Sequence, residues 1–211
     1  MRLLFIFMFI INLMAVEKIK IPEASGICEK DGIFYVANDE GKIYLVKNGK
    51  IIDKYNFKGY DFEGIECGKH YLFLAVENRR EILKIDYKFK IKDKIKLKIK
   101  NYSTSHGIEG IAKKGDYFYI AIQNKKSIWV FKKDKLVKKL KVKVEDISGV
   151  DIKGNILYFV SDKNDKLYFF DLSKNRIVKI ISLPKIATEG VVKIGNYFYL
   201  ANDDGDIRKF K

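Results

Sequence analysis

The chain of 211 residues carries 42 lysine and arginine residues against 27 aspartate and glutamate residues, which gives a formal net charge of +15. Hydrophobic residues make up 47% and aromatic residues 14% of the sequence, so an intrinsically disordered chain is excluded. Two cysteines and two prolines in a chain of this length exclude a disulfide-stapled miniprotein, a proline-rich linker and a collagen-like segment.

The first fifteen residues have the pattern of a secretory signal. Arg2 precedes an apolar run over residues 3–11, and Ala15 is a small residue at a suitable cleavage point. This run is shorter than the roughly 20 residues of a membrane-spanning helix, and an uncleaved anchor in the inner membrane stays open as the alternative. We therefore expect a signal peptide over residues 1–15 and a periplasmic or secreted mature protein over residues 16–211. Nucleic acid is then not an expected partner, despite the positive charge.

Five internal repeats follow the signal. In each repeat a glycine follows Glu or Ser and precedes Ile or Val, and a tight turn and a strand rich in aromatic residues come after it. The repeat glycines, 38 to 46 residues apart, are Gly26, Gly64, Gly110, Gly149 and Gly190. The predicted third strands are 42–46, 82–86, 127–131, 166–171 and 206–210, and the predicted fourth strands are 50–57, 90–99, 135–144 and 175–183.

Four antiparallel strands in about 40 residues is the spacing of a β-propeller blade. The fifth repeat ends one strand short, while residues 16–22 at the other end of the mature chain resemble the fourth-strand segment 178–184. The sequence therefore predicts an all-β fold, a five-bladed propeller of one domain whose ring is closed by pairing of the N-terminal strand with the last blade. An open sandwich of hairpins is the rival architecture.

Lysines alternate with apolar residues along three predicted fourth strands, over residues 90–100, 135–143 and 174–185. Such alternation gives each strand one apolar and one cationic face. Lysine on an outer edge strand discourages edge-to-edge aggregation. Attraction to an anionic membrane or polyanion is the functional alternative, so peripheral membrane contact of a monomer through its basic outer strands is one expectation.

Acidic residues recur at two positions of the repeat that meet at one face of a propeller, namely the start of the first strand and the loop between the second and third strands. The predicted metal ligands are Glu23, Asp61, Glu63, Glu109, Asp146 and Glu189 at the strand starts and Asp39, Glu77, Asp162 and Asp203 in the loops. Close carboxylates repel one another unless a cation is present, and oxygen ligands suit Ca²⁺ better than zinc. The sequence thus predicts acids near the axis and cations on the perimeter. Alternatively the acids only accept backbone N–H bonds, as Ser25 and Ser148 would in their place.

Catalytic candidates are few. Glu109 and His106 lie on the same predicted face and could move protons in a hydrolysis, although a solvated histidine is the simpler interpretation and no nucleophile motif is present. Cys28 and Cys67 follow their repeat glycines by two and three residues, so their side chains leave opposite faces of adjacent blades. They either form a disulfide across the shared interface or point apart.

The repeated series Glu63-Gly64-Ile65, Glu109-Gly110-Ile111, Ser148-Gly149-Val150 and Glu189-Gly190-Val191, with strands that end in a polar pair such as Ser161-Asp162, resembles the SdiA-regulated propeller family. That family includes YjiK- and CarP-like (calcium-regulated) propellers and is sometimes described as phytase-like. The resemblance covers residues 16–211. It implies an exported or envelope-associated propeller with a link to calcium and no settled catalytic activity.

The sequence therefore favours an exported binding protein over an enzyme. We expect Ca²⁺ or a cationic ligand at the acidic mouth of the ring, and a small ligand or an envelope protein as the partner. A calcium-dependent hydrolase of phosphoesters or lactones is the alternative, because the same carboxylates could hold a catalytic metal. A glycosidase with two central carboxylates is a third candidate.

Overall fold

The structure, a computed structural model, describes residues 19–99 and 107–211. The predicted signal peptide, residues 16–18 of the predicted closing strand and His106 lie outside the described residues. Among the residues that are described, no helix is long and apolar enough to cross a membrane.

The described chain forms a five-bladed β-propeller, as predicted, with one antiparallel sheet per blade. The innermost strands are β1 (Ala24–Lys30), β5 (Phe62–Cys67), β9 (Ile108–Lys114), β13 (Ile147–Lys153) and β17 (Thr188–Ile194). The second strands are β2 (Ile33–Asn38), β6 (Tyr71–Val76), β10 (Tyr117–Ile122), β14 (Ile156–Ser161) and β18 (Tyr197–Asn202). The third strands are β3 (Lys42–Lys47), β7 (Glu81–Asp86), β11 (Ser127–Lys132), β15 (Lys166–Asp171) and β19 (Ile207–Phe210). The outermost strands are β4 (Lys50–Asn56), β8 (Ile91–Lys96), β12 (Lys135–Lys141) and β16 (Arg176–Ser182), and one 3-10 helix covers Glu77–Arg79.

The two ends of the propeller differ in their connections. We call the end at which the innermost strands begin the upper face, and it also holds the loops between second and third strands. We call the opposite end the lower face, and it holds the turns between first and second strands and between third and fourth strands. Each innermost strand therefore runs from the upper to the lower face.

Apolar side chains fill the space between neighbouring blades. Over the described residues there is one hydrophobic cluster at each of the five blade-to-blade interfaces, including the interface of the fifth blade with the first. Aromatic residues of the second strands meet across these interfaces, as in Phe73 with Phe118 and Tyr158 with Phe198, both with ring centroids 5.2 Å apart. This packing joins all five blades in a ring.

The repeat glycines form the hub of this ring. A Cβ atom on Gly26 would lie 2.7 Å from the Cα atom of Gly64, and one on Gly64 would lie 2.8 Å from the carbonyl oxygen of Glu109 in the next blade. Real Cβ atoms do not approach backbone atoms this closely, so the innermost strands can meet only where a side chain is absent. The closed ring thus explains why every repeat carries a glycine at this position.

The chain closes the ring beside the last blade. The Ile21 N–H donates a hydrogen bond of 2.8 Å to the Gly205 carbonyl oxygen. Ile19 and Ile21 are buried in the cluster that also contains Val192 and Ile207 of the fifth blade. The fifth sheet has three strands among the described residues, and the segment from Ile19 lies where its fourth strand belongs.

Cys28 of β1 and Cys67 of β5 form a disulfide, with their Cα atoms 5.6 Å apart. Of the two arrangements that the sequence left open, the cysteines therefore meet across the interface of the first two blades. Side chains two residues after a hub glycine face the next blade, and those three residues after it face the previous one. Cys28 follows its hub glycine by two residues and Cys67 follows its own by three, so the two side chains face each other across the interface.

Candidate functional site

A β-bulge interrupts each innermost strand next to its hub glycine. In the second blade Phe62 pairs with Val76 and Gly64 pairs with Ala75, so that Glu63 is the extra residue. The register shifts at the same place in the other blades. The residues that precede the hub glycine at these bulges are Ser25, Glu63, Glu109, Ser148 and Glu189. Because a bulge changes the direction of the side chain at the extra residue, these side chains can reach the axis of the upper face.

The loops between second and third strands supply the other half of the site. Asn38, fully buried at the end of β2, donates to the Pro22 carbonyl oxygen at 3.0 Å and accepts from the Lys42 N–H at 2.9 Å. Asn202 is also fully buried, and accepts from the Asp206 N–H at 3.3 Å. These amides hold the loops in place. The next residue along the chain, an aspartate in both blades, lies at the surface of the cavity described below.

A cavity of about 240 Å³ opens at the centre of the upper face. Its lining includes seven of the predicted ligands, together with Gln123 and Ser148. Those seven are Asp39, Glu63, Glu109, Asp146, Asp162, Glu189 and Asp203. Every blade contributes at least one of the lining residues, and most of the lining is acidic.

The remaining predicted ligands lie close by. Oxygens of Asp61, Glu63 and Glu77 lie within 4.8 Å of one another, so this trio forms one cluster of the second blade. Glu23 is exposed, and its charge is among those that raise the pKa of Asp203. The structure thus brings all ten predicted residues to the upper face.

A glycine makes room for the trio. A Cβ atom at position 107 would overlap the Glu77 side chain, so a residue other than Gly107 would displace this carboxylate. The Glu77 N–H donates to the Asp61 carbonyl oxygen at 3.1 Å, which ties the loop of the second blade to the start of β5. Burial, followed by the charges of neighbouring carboxylates, raises the pKa of both Asp61 and Glu77.

Burial and mutual repulsion raise the pKa of seven acids in this site, namely Asp61, Glu63, Glu77, Glu109, Asp162, Glu189 and Asp203. Desolvation is the largest cause, followed by the charges of neighbouring carboxylates. The pKa of Glu63 rises to about 10, that of Glu189 to about 9 and that of Glu109 to about 8. The pKa of Asp203 rises to about 6 for the same reasons. Without a cation the site therefore holds several protons at neutral pH.

The acids at the bulges do not cap strands. In the described part of the chain no backbone N–H donates to the carboxylates of Glu63, Glu109 or Glu189, and Oε1 of Glu109 is buried with no hydrogen-bond partner. The serines at the same position donate rather than accept, since Ser148 Oγ bonds to the Thr188 carbonyl oxygen at 2.7 Å and Ser25 Oγ bonds to Asp39. Capping alone therefore does not explain why carboxylates occupy these positions.

The donor set fits a hard cation. The described residues around the cavity offer carboxylate, amide and hydroxyl oxygens but neither histidine nor cysteine. Two oxygens bound to one Ca²⁺ lie at most about 5 Å apart, because each Ca–O distance is roughly 2.4 Å. The oxygens of the Asp61, Glu63 and Glu77 cluster are within that limit. With Glu109 Oε1 unpartnered nearby, these residues could hold Ca²⁺.

A second cavity, of about 270 Å³, adjoins the first and shares Asp146 with it. Its lining also includes Asn124, Lys126, Glu145 and Lys163. Glu145 forms ion pairs with both lysines, at 2.8 Å for Lys163. These two lysines correct the expectation that cations lie on the perimeter alone. They come from loops of neighbouring blades, so no local motif in the sequence joins them.

The bulges and the second cavity are the features that sequence reasoning missed. The repeated Glu-Gly or Ser-Gly doublet carried the signal for the bulge, because glycine inside a strand pattern often marks one. His106, the second catalytic candidate, lies outside the described residues, so Glu109 is the candidate that the structure places.

The family model described as SdiA-regulated matches residues 15–194. None of the curated proteins matches the chain in sequence.

Several solved structures share the fold at low sequence identity. Glutaminyl cyclase from Myxococcus xanthus superimposes with a TM-score of 0.74 at 11% identity, over 94% of this chain and 91% of that one. Virginiamycin B lyase from Staphylococcus aureus gives a TM-score of 0.56 at 18% identity, over 88% of this chain and 65% of that one. The WD40 propeller domain of Doa1 gives 0.60 at 12% identity, over 89% of this chain and 63% of that one. At such identities the likeness establishes the propeller fold alone.

Proposed function

Since the chain belongs to the SdiA-regulated family of β-propellers, we propose that it is an exported, non-catalytic propeller that binds Ca²⁺ at its upper face. The observation that carries this proposal is the Asp61, Glu63 and Glu77 cluster, with its oxygens within 4.8 Å, beside a Glu109 oxygen that has no partner. A cation supplies the positive charge that these buried carboxylates lack. A cationic ligand or a basic segment of an envelope protein would meet the same need.

Binding of Ca²⁺ would displace protons. Burial and neighbouring charges raise the pKa values of Asp61 and Glu77, and they raise the pKa of Glu63 to about 10. Metal ligands have to be deprotonated, so the affinity should increase with pH and protons should be released on binding. This proton release distinguishes the site from weak, non-specific attraction of Ca²⁺ to exposed carboxylates.

Titration calorimetry of the purified protein with CaCl₂, repeated in buffers of different ionisation enthalpy, tests the proposal. We expect a saturable site with proton release in the wild type and at least a tenfold loss of affinity in Glu63→Gln. The matched control is Glu29→Gln at the lower face, where Glu29 accepts the Gly32 N–H at 2.7 Å, and it should bind Ca²⁺ normally. The absence of saturable binding in the wild type, or equal losses in both variants, would refute the metal site.

Export has a separate test. The Cys28–Cys67 disulfide suits an oxidising compartment such as the periplasm. Fractionation of cells that express the full chain should yield a mature protein that begins near residue 16 outside the cytoplasm. Retention of residues 1–15 in a membrane fraction would instead support the anchored alternative.

A calcium-dependent hydrolase remains the second candidate because of the cavity that contains Lys126 and Lys163. Its ammonium groups lie beside the acidic cavity, where they could hold an anionic substrate such as a phosphoester. Glu109, whose pKa burial raises to about 8, would be the proton donor. Turnover of phytate or a model phosphodiester or lactone with Ca²⁺, lost in Glu109→Ala, would establish catalysis, whereas binding without turnover supports the non-catalytic assignment.

A further inference from the structure

Lysines surround the axis at the lower face, opposite the acidic cavity. Each blade places at least one of them at or next to the turn between its first and second strands, and they are Lys30, Lys69, Lys113, Lys114, Lys153 and Lys193. The acids at or next to the same turns are Glu29, Asp31, Glu66 and Asp116. The expectation that cations lie on the perimeter is therefore incomplete, because a cationic ring also surrounds one end of the axis.

Most ammonium groups of this ring donate hydrogen bonds to uncharged oxygens. Lys30 Nζ donates to the Lys69 carbonyl oxygen at 2.6 Å, and Lys193 Nζ donates to the Gly195 carbonyl oxygen at 2.6 Å. Lys114 Nζ bonds the Gly154 carbonyl oxygen at 2.7 Å and the Asn155 side-chain oxygen at 2.8 Å. Of the ring lysines, Lys153 approaches a carboxylate, at 3.7 Å from Asp151. Carbonyl contacts orient the ammonium groups without neutralising their charge.

A second set of cations lies further from the axis on the same face. It comes from the turns between third and fourth strands and from the end of β19, and comprises Lys47, Lys50, Lys88, Lys90, Lys132, Lys133, Lys174, Arg176, Lys209 and Lys211. The acids of these turns are Asp86, Asp134 and Asp171, which are fewer than the cations around them. The lower face as a whole is therefore strongly positive.

Apolar residues lie between the two sets of cations. The first residue of each second strand is a tyrosine or isoleucine that remains partly exposed, and these residues are Ile33, Tyr71, Tyr117, Ile156 and Tyr197. Tyr117 is 39% exposed. Lysine ammonium groups lie over the rings of Tyr71 at 4.0 Å, Tyr117 at 5.6 Å and Tyr197 at 3.8 Å.

We propose that the lower face docks on an anionic lipid bilayer and leaves the upper face open to solution. Lysines near a membrane surface are attracted by the negative potential of its lipid headgroups. Tyrosine favours the boundary between headgroups and acyl chains, because its ring is apolar and its hydroxyl is polar. A soluble polyanion would use the lysines but gain little from the tyrosines and isoleucines between them, so the combination favours a bilayer.

Vesicle co-sedimentation of the full chain tests this orientation. The probe is vesicles of phosphatidylcholine with and without phosphatidylglycerol, at low and at moderate salt. The test variant reverses three exposed lower-face lysines, as Lys69→Glu, Lys114→Glu and Lys153→Glu. The matched control reverses three exposed outer-strand lysines, as Lys96→Glu, Lys138→Glu and Lys141→Glu, and changes the net charge equally.

We expect the wild type to prefer phosphatidylglycerol vesicles in a salt-sensitive manner, and the lower-face variant to lose at least tenfold in partitioning to them. The control variant should lose less than threefold, and binding to neutral vesicles should be the same for all three proteins. If a charge reversal prevents folding, the same lysines are changed to glutamine in both sets. The melting temperature of these variants is then checked to be unchanged. Equal losses in both sets, or no preference for the anionic lipid, would overturn the proposal.

A soluble polyanion is the remaining outcome. Wild-type protein that binds heparin but shows no preference for anionic vesicles would assign the lower face to a polyanion and overturn the membrane orientation. Calcium binding at the upper face does not enter this experiment when the buffers contain a chelator, so the two proposals succeed or fail separately.

Discussion

Carboxylates above and below the hub glycines have opposite surroundings. Above the hub, Glu63 and Glu109 are partly buried among other acids, with no N–H donor among the described residues. Below it, Asp151 accepts the N–H groups of Ile152 and Lys193, both at 2.7 Å. Burial raises the pKa of Asp151 as well, but its two N–H donors oppose that rise and one of them ties it to the next blade. The upper acids have no such donors and oppose folding until a cation joins them. Such a stability cost is typical of residues kept for function.

Glu66 lies two residues after its hub glycine, which is the position that Asp151 occupies in its own blade. It accepts a backbone hydrogen bond from Lys113 in the next blade, and burial raises its pKa to about 8. In the first blade the equivalent position is Cys28, which bonds the next blade covalently. The same position therefore links blades by a disulfide in one case and by a carboxylate in two others.

Removal of the disulfide should have the largest effect on stability. The bond closes a loop with a sequence separation of 39 residues, and loops of this length give a stabilisation of about 3–4 kcal/mol. The double variant Cys28→Ser, Cys67→Ser should lose about that much in urea unfolding, with calcium binding at the upper face retained. An unchanged urea midpoint would show that the link between the first two blades does not depend on this bond.

Loss of the Asp151 carboxylate should be nearly as costly. Asp151→Ala leaves two backbone N–H groups without their acceptor at a site that is 4% exposed, which predicts a loss of about 2–3 kcal/mol. Asp151→Asn keeps one acceptor oxygen and should recover part of the loss. Asp93→Ala, at an exposed position on β8, is the control and should change the unfolding free energy by less than about 0.5 kcal/mol. Similar losses of unfolding free energy in Asp93→Ala and Asp151→Ala would show that the Asp151 bond to the next blade does not stabilise the ring.

The upper acids should make the calcium-free protein less stable as the pH rises. Their folded pKa values, about 8 for Glu109, 9 for Glu189 and 10 for Glu63, exceed the ordinary value of 4.5. These three groups then bind more protons in the folded state than in the unfolded state at any pH between these limits, so their contribution to stability is greatest below about pH 4.5 and falls as the pH rises toward the folded pKa values. Each unit of pKa difference corresponds to about 1.4 kcal/mol, and screening in the open cavity reduces the sum. We expect a loss of roughly 2 kcal/mol between about pH 5 and pH 8, measured by urea unfolding in a chelator.

The control for this pH dependence is the triple variant Glu63→Gln, Glu109→Gln, Glu189→Gln. It should make the pH profile shallower, with the remaining slope due in part to Glu66, whose pKa is about 8. It should also be more stable than the wild type at about pH 8, because its amides carry no charge to desolvate. Added Ca²⁺ should restore the stability of the wild type and leave the triple variant unaffected. A wild type that is more stable at pH 8 than at pH 5 in the chelator would contradict these raised pKa values.

Much of the fold could be read from the sequence because the repeat is local. The strand predicted over residues 166–171 has the observed bounds, Lys166–Asp171, and the strand predicted over 90–99 is shorter in the structure, at Ile91–Lys96. The lysines and apolar residues of that segment continue to alternate beyond the paired residues of the sheet, so the periodicity predicts too long a strand. The ring followed from the count of repeats and from the resemblance of residues 16–22 to the last fourth strand.

The site was harder to predict than the fold. The acids of the upper face were identified because they share a position in the repeat, but the bulge that turns Glu63 toward the axis depends on contact between innermost strands. The lower ring was missed because residues such as Lys69 and Lys193 belong to different turns, and only the closed ring brings them to one face. The disulfide stayed undecided because offsets along two strands do not give the tilt between their sheets.

The bulge assigns packing between blades and the supply of ligands to two adjacent residues. The hub glycine maintains the contact between blades, while the residue before it is a glutamate that lines the upper cavity in three blades and a buried serine in two. Substitution at that position can therefore alter the number of ligands one blade at a time without disturbing the architecture. Ser25 and Ser148 stand at positions where other blades carry glutamate. Related chains could therefore differ in which cation they bind through the five residues that precede the hub glycines. The same five positions could be substituted in the laboratory to change that selectivity.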